Sequence, residues 1–179
     1  MMRGAVLTAA LLLAGCASPV MTRLDTAAPA PLPSRASFAL MPEADEAGLL
    51  PAQARDMVAA ALRQRGWSQA ESGSYLLAVT LADRPATIAL KAGDDFGKPV
   101  GTLAPAADRS NNKGCARRDH RLTITLTERA SGAVVYTGAA SEFHCKAGLD
   151  ETLPHLVAAA VERLDTGSGR VQIARDGAR

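Results

Sequence analysis

A chain of 179 residues, 47% hydrophobic and 21% charged, holds enough apolar material for one compact domain and excludes a disordered or fibrous class. A formal net charge of +2 and an aromatic content of 3% exclude the basic, aromatic-studded surface that nucleic acid requires. The core is expected to be aliphatic, with Phe38, Trp67, Tyr75, Tyr136 and Phe143 as its few large pieces.

The first element is a leader. Met1, Met2 and Arg3 form a minimal basic region, and Gly4 to Ala14 form an apolar stretch too short to span a bilayer. Leu13-Ala14-Gly15-Cys16 then resembles the lipobox of bacterial lipoproteins. The resemblance implies that residues 1–15 are a signal peptide, that the Cys16 thiol receives a diacylglyceryl group, and that the new amino terminus is acylated, for example with palmitate. Such an anchor holds a protein to a membrane durably without a crossing segment. Ala17 and Ser18 stand where an aspartate would signal inner-membrane retention, so the expected location is the outer membrane, with the body in the periplasm of a Gram-negative cell.

Residues 16–34 contain Pro19, Pro29, Pro31 and Pro33 among small residues and read as a semi-extended tether, of which Val20 to Leu24 could pair as an edge strand. The domain proper is expected over residues 35–166. "SRASFALMP" predicts a first core strand ending at Pro42, and "LLPAQARDMVAAALRQRGW" a helix whose apolar face is Ala54, Met57, Val58, Ala61 and Leu62. Strands follow over Ser74 to Ala82 and, more weakly, Ala86 to Leu90. Residues 91–114, rich in Gly, Pro, Asp and Asn, read as a long loop. "RLTITLTE" and "AVVYTGAASEF" flank Ser131-Gly132 and predict a hairpin. A turn centred near Ala130 would set Ile124 opposite Tyr136, Leu126 opposite Val134, and Cys115 near Cys145. A second helix carries the stripe Leu153, Leu156, Val157, Ala160, Val161 and Leu164, with Thr152 as N-cap and Gly167 as terminator. Residues 167–179 read as a loose tail.

With Cys16 assigned to lipid, Cys115 and Cys145 remain as an even pair in an oxidising compartment, which predicts a structural disulfide. A zinc site with His120 and His144 is the competing reading. His144 and Cys145 are consecutive on a strand and point to opposite faces, and short ligand spacings are absent, which argues against it. No metal or other cofactor is expected.

Strand, helix, strands, hairpin and helix imply an α+β fold, a two-layer sandwich in which both helices pack on one face of a mostly antiparallel sheet. Phe38-Ala39-Leu40, Gly66-Trp67, Tyr75-Leu76-Leu77 and Val134-Val135-Tyr136-Thr137-Gly138, behind a lipobox and a proline-bearing lead, resemble the pattern of the bacterial envelope lipoproteins classed as domain of unknown function 4136. The resemblance covers Ala36 to Leu164. It departs at Ser74, where an aspartate often opens the strand, and at Tyr136, where tryptophan is usual. It implies a fold but carries no catalytic residues.

Lys113, Arg117, Arg118, His120 and Arg121 gather at the mouth of the hairpin as a candidate binding patch for phosphates of lipopolysaccharide or phospholipid, or for an acidic envelope protein. Strand alternation would place Arg118 and His120 on one face and Arg117 and Arg121 on the other. Ser141, Glu142 and His144 do not make a triad, since neighbours on a strand do not converge, and no phosphate loop or calcium loop pattern is present. The expected function is a lipid-anchored binding or assembly module without a catalytic site. The alternatives are an envelope hydrolase with an unrecognised site and an accessory lipoprotein of lipopolysaccharide assembly.

Overall fold

The computed structural model describes residues 19–42, 48–86, 88–93, 98–104, 118–165 and 167–175. Chain order is β1 (Val20–Ala27), β2 (Ser37–Leu40), α1 (Leu49–Gln64), β3 (Ser68–Gln69), β4 (Tyr75–Pro85), β5 (Leu90–Gly93), β6 (Pro99–Ala104), β7 (Arg118–Glu128), β8 (Val134–His144), α2 (Leu149–Glu162) and β9 (Gly169–Arg175). Seven strands form one open sheet in the order β3-β2-β4-β7-β8-β1-β9, and β5 and β6 form a separate two-stranded ladder. The large sheet is antiparallel except where β2 runs parallel to β3 and β4. The fold is α+β, as the element order predicts.

The core follows from alternation. Leu122, Ile124 and Leu126 on β7, Tyr136 and Ala140 on β8, Leu77 on β4 and Leu24 on β1 are buried in one cluster with Ala54, Val58 and Leu62 of α1. The expected stripe of α2, from Leu153 through Leu164, joins the same cluster. Met57 and Ala61 pack against it at its margin. Trp67 lies in this cluster with its ring centroid 5.4 Å from that of Tyr75.

Several sequence expectations need correction. In the segment read as a tether, the strand expected over Val20 to Leu24 forms as β1, but it extends to Ala27 and is interior, paired with β8 on one side and β9 on the other, where an edge strand was expected. Its alternation of Thr22, Leu24 and Thr26, all buried, was masked by the polar residues between them. The segment read as a tail contains β9, which covers the far side of β1. Of the described residues in the expected strand Ala86 to Leu90, only Leu90 is in a strand, as the start of β5, and the 91–114 segment contains β6. The hairpin exists, but its register is two residues from the expected one: Leu126 faces Tyr136 and Ile124 faces Gly138. A bulge at Leu126/Thr127 causes this, together with a turn in which the Gly132 N–H, at φ +71°, donates to the Glu128 carbonyl at 2.8 Å. An even offset leaves each side chain on its expected face. Finally, α2 begins at Leu149 behind Gly148, so Thr152 is inside the helix and not its cap.

Candidate functional site

Two constellations flank the β7–β8 ladder, one on the core side of the sheet and one on the other. On the core side, the in-register positions Asp83, His120 and Glu142 on β4, β7 and β8 continue the apolar rows beyond their hydrophobic end. Glu142 is fully buried and His120 is 1% exposed, which requires partners. Thr22 Oγ1 donates to Glu142 Oε1 at 2.5 Å, Arg175 Nε donates to the same oxygen at 2.8 Å, and His144 Nε2 lies 2.8 Å from Oε2. The second Arg175 guanidinium nitrogen also meets Oε2. Burial pushes the Glu142 carboxyl up, but the hydrogen bonds from Arg175, His144 and Thr22 and the Arg175 charge outweigh it and hold the group at about 2.

The His120 ring stacks on His144, with centroids 5.1 Å apart and planes 27° apart. Its Nδ1 is 2.9 Å from Thr152 Oγ1, which donates in turn to the Leu149 carbonyl at 3.1 Å. Its Nε2 is 3.5 Å from Asp83 Oδ1. Burial lowers the His120 pKa; the Asp83 carboxylate opposes this, while the charges of His144 and Arg118 reinforce it. Arg118 Nε donates to Asp83 Oδ1 at 2.7 Å, and that bond holds the Asp83 carboxyl below its ordinary value against the opposing pull of burial.

On the other side, Arg121, Ser141, Arg23 and Gln172 stand in one row across β7, β8, β1 and β9. They line a groove of about 330 Å³ with Asp25 and Arg170. Arg23 lays its guanidinium over the Phe143 ring, 4.1 Å from the centroid, and Arg170 Nε donates to Asp25 Oδ2 at 2.8 Å. Beside the groove, the buried Asp119 receives Arg84 Nε at 3.1 Å. Arg121 is exposed and has no acidic partner among the described residues.

The expected patch is thus divided by the sheet. Arg118 and His120 lie on the core side, the first paired with Asp83 and the second buried, while Arg121 lies in the groove on the other face. Lys113 and Arg117 lie outside the described residues, as do Cys16 and Cys115. Cys145 is disulfide-bonded. Asp119 and His120 are consecutive on β7 and point to opposite faces. Sequence reasoning missed Glu142, Thr22 and Arg175 as a buried ionic group, and Arg23 and Ser141 as neighbours of Arg121. The signal for Glu142 was its phase, since positions 136, 140 and 142 share one parity with the buried face of β8.

Among the described residues no cluster of three or more His, Cys, Asp or Glu side chains is placed to hold a metal ion, and no helix is long and apolar enough to cross a membrane.

No family model matches the chain, and no curated protein does. Among solved structures it is similar to a PDZ domain protein from Parabacteroides distasonis, with a TM-score of 0.60 at 11% identity over 93% of this chain. The chain spans 42% of that protein's length, so the likeness concerns the fold of one part of it. The PelC dodecamer from Paraburkholderia phytofirmans aligns with a TM-score of 0.47 at 18% identity, over 80% of this chain and 97% of that one.

Proposed function

We propose that the chain is a lipid-anchored binding or assembly module of the bacterial cell envelope, of the kind classed as domain of unknown function 4136. In this reading Cys16 carries the lipid, the outer membrane holds the anchor and the body faces the periplasm. The architecture is a two-layer sandwich: α1 and α2 cover one face of the sheet, and the opposite face is the working surface. The observation that carries the reading is the groove on that opposite face, where Arg121 and Arg23 flank Ser141 in register. A polar, cationic concavity built on four neighbouring strands is a rigid place for a partner to sit.

The polar side chains that would attract a catalytic reading argue for structure instead. Glu142, His120 and His144 are 0%, 1% and 6% exposed, and their polar atoms are taken up by Thr22, Arg175, Thr152 and one another. A substrate would have to unpack the sheet edge to reach them.

The test is in-cell crosslinking of the native lipidated protein, followed by purification and mass spectrometry, with Arg121→Glu in parallel. A reproducible partner that is lost from Arg121→Glu supports the reading. Recovery of the protein alone from both, or a partner retained by the variant, rejects this groove as the working surface.

A further inference from the structure

The core-side cluster at the end of the sheet sets its charges one against one. Two carboxylates, Asp83 and Glu142, meet two guanidinium groups, Arg118 and Arg175, and between them stand the stacked imidazoles of His120 and His144. His144 Nε2 and Arg175 share Glu142 Oε2, while His120 Nε2 and Arg118 Nε share Asp83 Oδ1, at 3.5 Å and 2.7 Å. The groups that face His120 are Asp83 from β4, Arg118 from β7, Glu142 and His144 from β8, and the Thr152 hydroxyl from the first turn of α2. Asp150 and Glu151 of that turn are exposed, and Asp119 lies on the opposite face of the sheet. Thr22 of β1 and Arg175 of β9 join the cluster through Glu142. Burial, opposed by Asp83 and Asp119 and reinforced by the charges of His144 and Arg118, keeps His120 neutral at pH 7.5. A proton taken up as pH falls therefore adds an excess positive charge to a place closed to water.

We propose that proton uptake by the stacked pair of His120 and His144 opens a clasp: Arg175 leaves Glu142, and β9 peels from β1 at its Arg175 end while the rest of the sheet stays folded. Arg175 is the member of the cluster best placed to leave. It is the last residue of the strand that ends the sheet order, and its side chain is already partly exposed, so a short outward movement returns its charge to water. Arg118 stands on β7, which β4 and β8 hold on both sides. At its other end β9 is fastened by Thr26 Oγ1, which donates to the Gly167 carbonyl at 2.9 Å, by Ser168 Oγ on the Ala28 N–H, and by Arg170 on Asp25. None of these contacts includes a histidine, so the hinge lies at the Gly169 end. Opening uncovers the outer edge of β1 from Val20 onward, a row of backbone N–H and C=O groups able to template a partner's strand. Acid thereby changes the edge that the sheet presents.

The experiment is amide hydrogen exchange, read by mass spectrometry, on the full-length lipidated protein in dodecyl maltoside micelles at pH 7.5 and pH 5.0, with each rate corrected for its intrinsic pH dependence. Both conditions lie above the range in which the contribution of Glu142 is lost. In the wild type the protection of residues 171–175 is expected to fall about tenfold or more at pH 5.0, while Leu122 to Glu128 of β7 and Leu153 to Glu162 of α2 keep theirs. Arg175→Gln should show the open β9 at both pH values. His120→Gln combined with His144→Gln should show the closed β9 at both, with circular dichroism checking that each variant is folded. Equal protection of β9 at the two pH values in the wild type overturns the proposal, and that comparison needs no variant. A loss of protection shared by β7 and α2 also overturns it, since it marks general acid unfolding. So does a β9 response that survives the double histidine variant.

Discussion

The ring of Tyr136 lies over Gly138, two residues along the same strand, and its hydroxyl donates to the Ala160 carbonyl near the end of α2 at 2.9 Å. That carbonyl belongs to the last turn of the helix, where Leu164 N–H bonds instead to Val161, so the tyrosine supplies the donor the helix lacks. Burial pushes the Tyr136 hydroxyl up to about 12, which keeps it protonated as a donor across the accessible pH range. A methyl group at position 138 would stand 2.3 Å from the hydroxyl oxygen and 2.8 Å from the ring. Gly138→Ala is therefore expected to displace the ring and cost about 2–4 kcal/mol in urea unfolding. Tyr136→Phe keeps the packing and orphans the carbonyl, at about 1–3 kcal/mol. Equal stability of Gly138→Ala and wild type would show that the ring relaxes without loss.

Acid should destabilise the protein in two stages. His120 has a folded-state pKa below its ordinary 6.5, so the unfolded chain takes up its proton first and stability falls as pH drops below about 6.5. Glu142 is held at about 2 against an ordinary 4.5, so its contribution is intact above 4.5 and is lost as pH falls from there toward 2. The second stage is worth about 3 kcal/mol. Urea midpoints measured from pH 8 to pH 3 should show both slopes. Replacement by His120→Gln should remove the first and leave the second; a slope below pH 6.5 that survives the substitution assigns it to another group.

Arg175→Ala removes the strongest partner of a fully buried carboxylate and is expected to cost about 3 kcal/mol or more, beyond what an edge-strand surface change would cost. The double variant Arg175→Ala with Glu142→Gln should recover part of that loss, because the uncompensated charge is gone. No recovery would mean that the arginine acts through packing of β9 alone.

Reduction should matter. The disulfide at Cys145, with Cys115 as its expected partner, closes a loop of about thirty residues, and opening it is expected to lower stability by roughly 3 to 4 kcal/mol. Cys115→Ala should match the reduced wild type in thermal unfolding. A Cys115→Ala protein that keeps the stability of the oxidised form would exclude this pairing.

How much of this was legible in the residues depends on how each element announces itself. The α2 stripe from Leu153 to Leu164 and the threonine-spaced run Leu122, Ile124, Leu126 are strongly periodic, and both were placed on their buried faces. The register of the β7–β8 hairpin needed the bulge and the five-residue turn, which no hydrophobic pattern encodes. Val20 to Leu24 was legible as an edge strand, but the interior place of β1 and the existence of β9 were not, because the two strands are stabilised by pairing with each other and by contacts such as Thr26 Oγ1 to the Gly167 carbonyl, 141 positions away. The groove was illegible for the same reason. Arg121 was singled out, but its neighbours Arg23 and Gln172 come from the two strands that were read as tether and tail.

If Cys16 carries lipid, as proposed above, the interior position of β1 limits how far from the membrane the body would sit. Only three residues lie between Cys16 and Val20, a reach of at most about 14 Å of extended chain, and β1 is paired with β9 from Val20 and with β8 from Arg23. With lipid on Cys16 there would be no long leash, and the end of the sheet at which β1 begins and β9 finishes would be the end nearest the bilayer. Thr22, Glu142, His144 and Arg175 lie at that end of the sheet, and the row from Arg121 through Ser141 to Arg23 is one residue step along the strands from Glu142 and Thr22. A lipid on Cys16 would thereby keep the groove close to the surface to which the protein is tied.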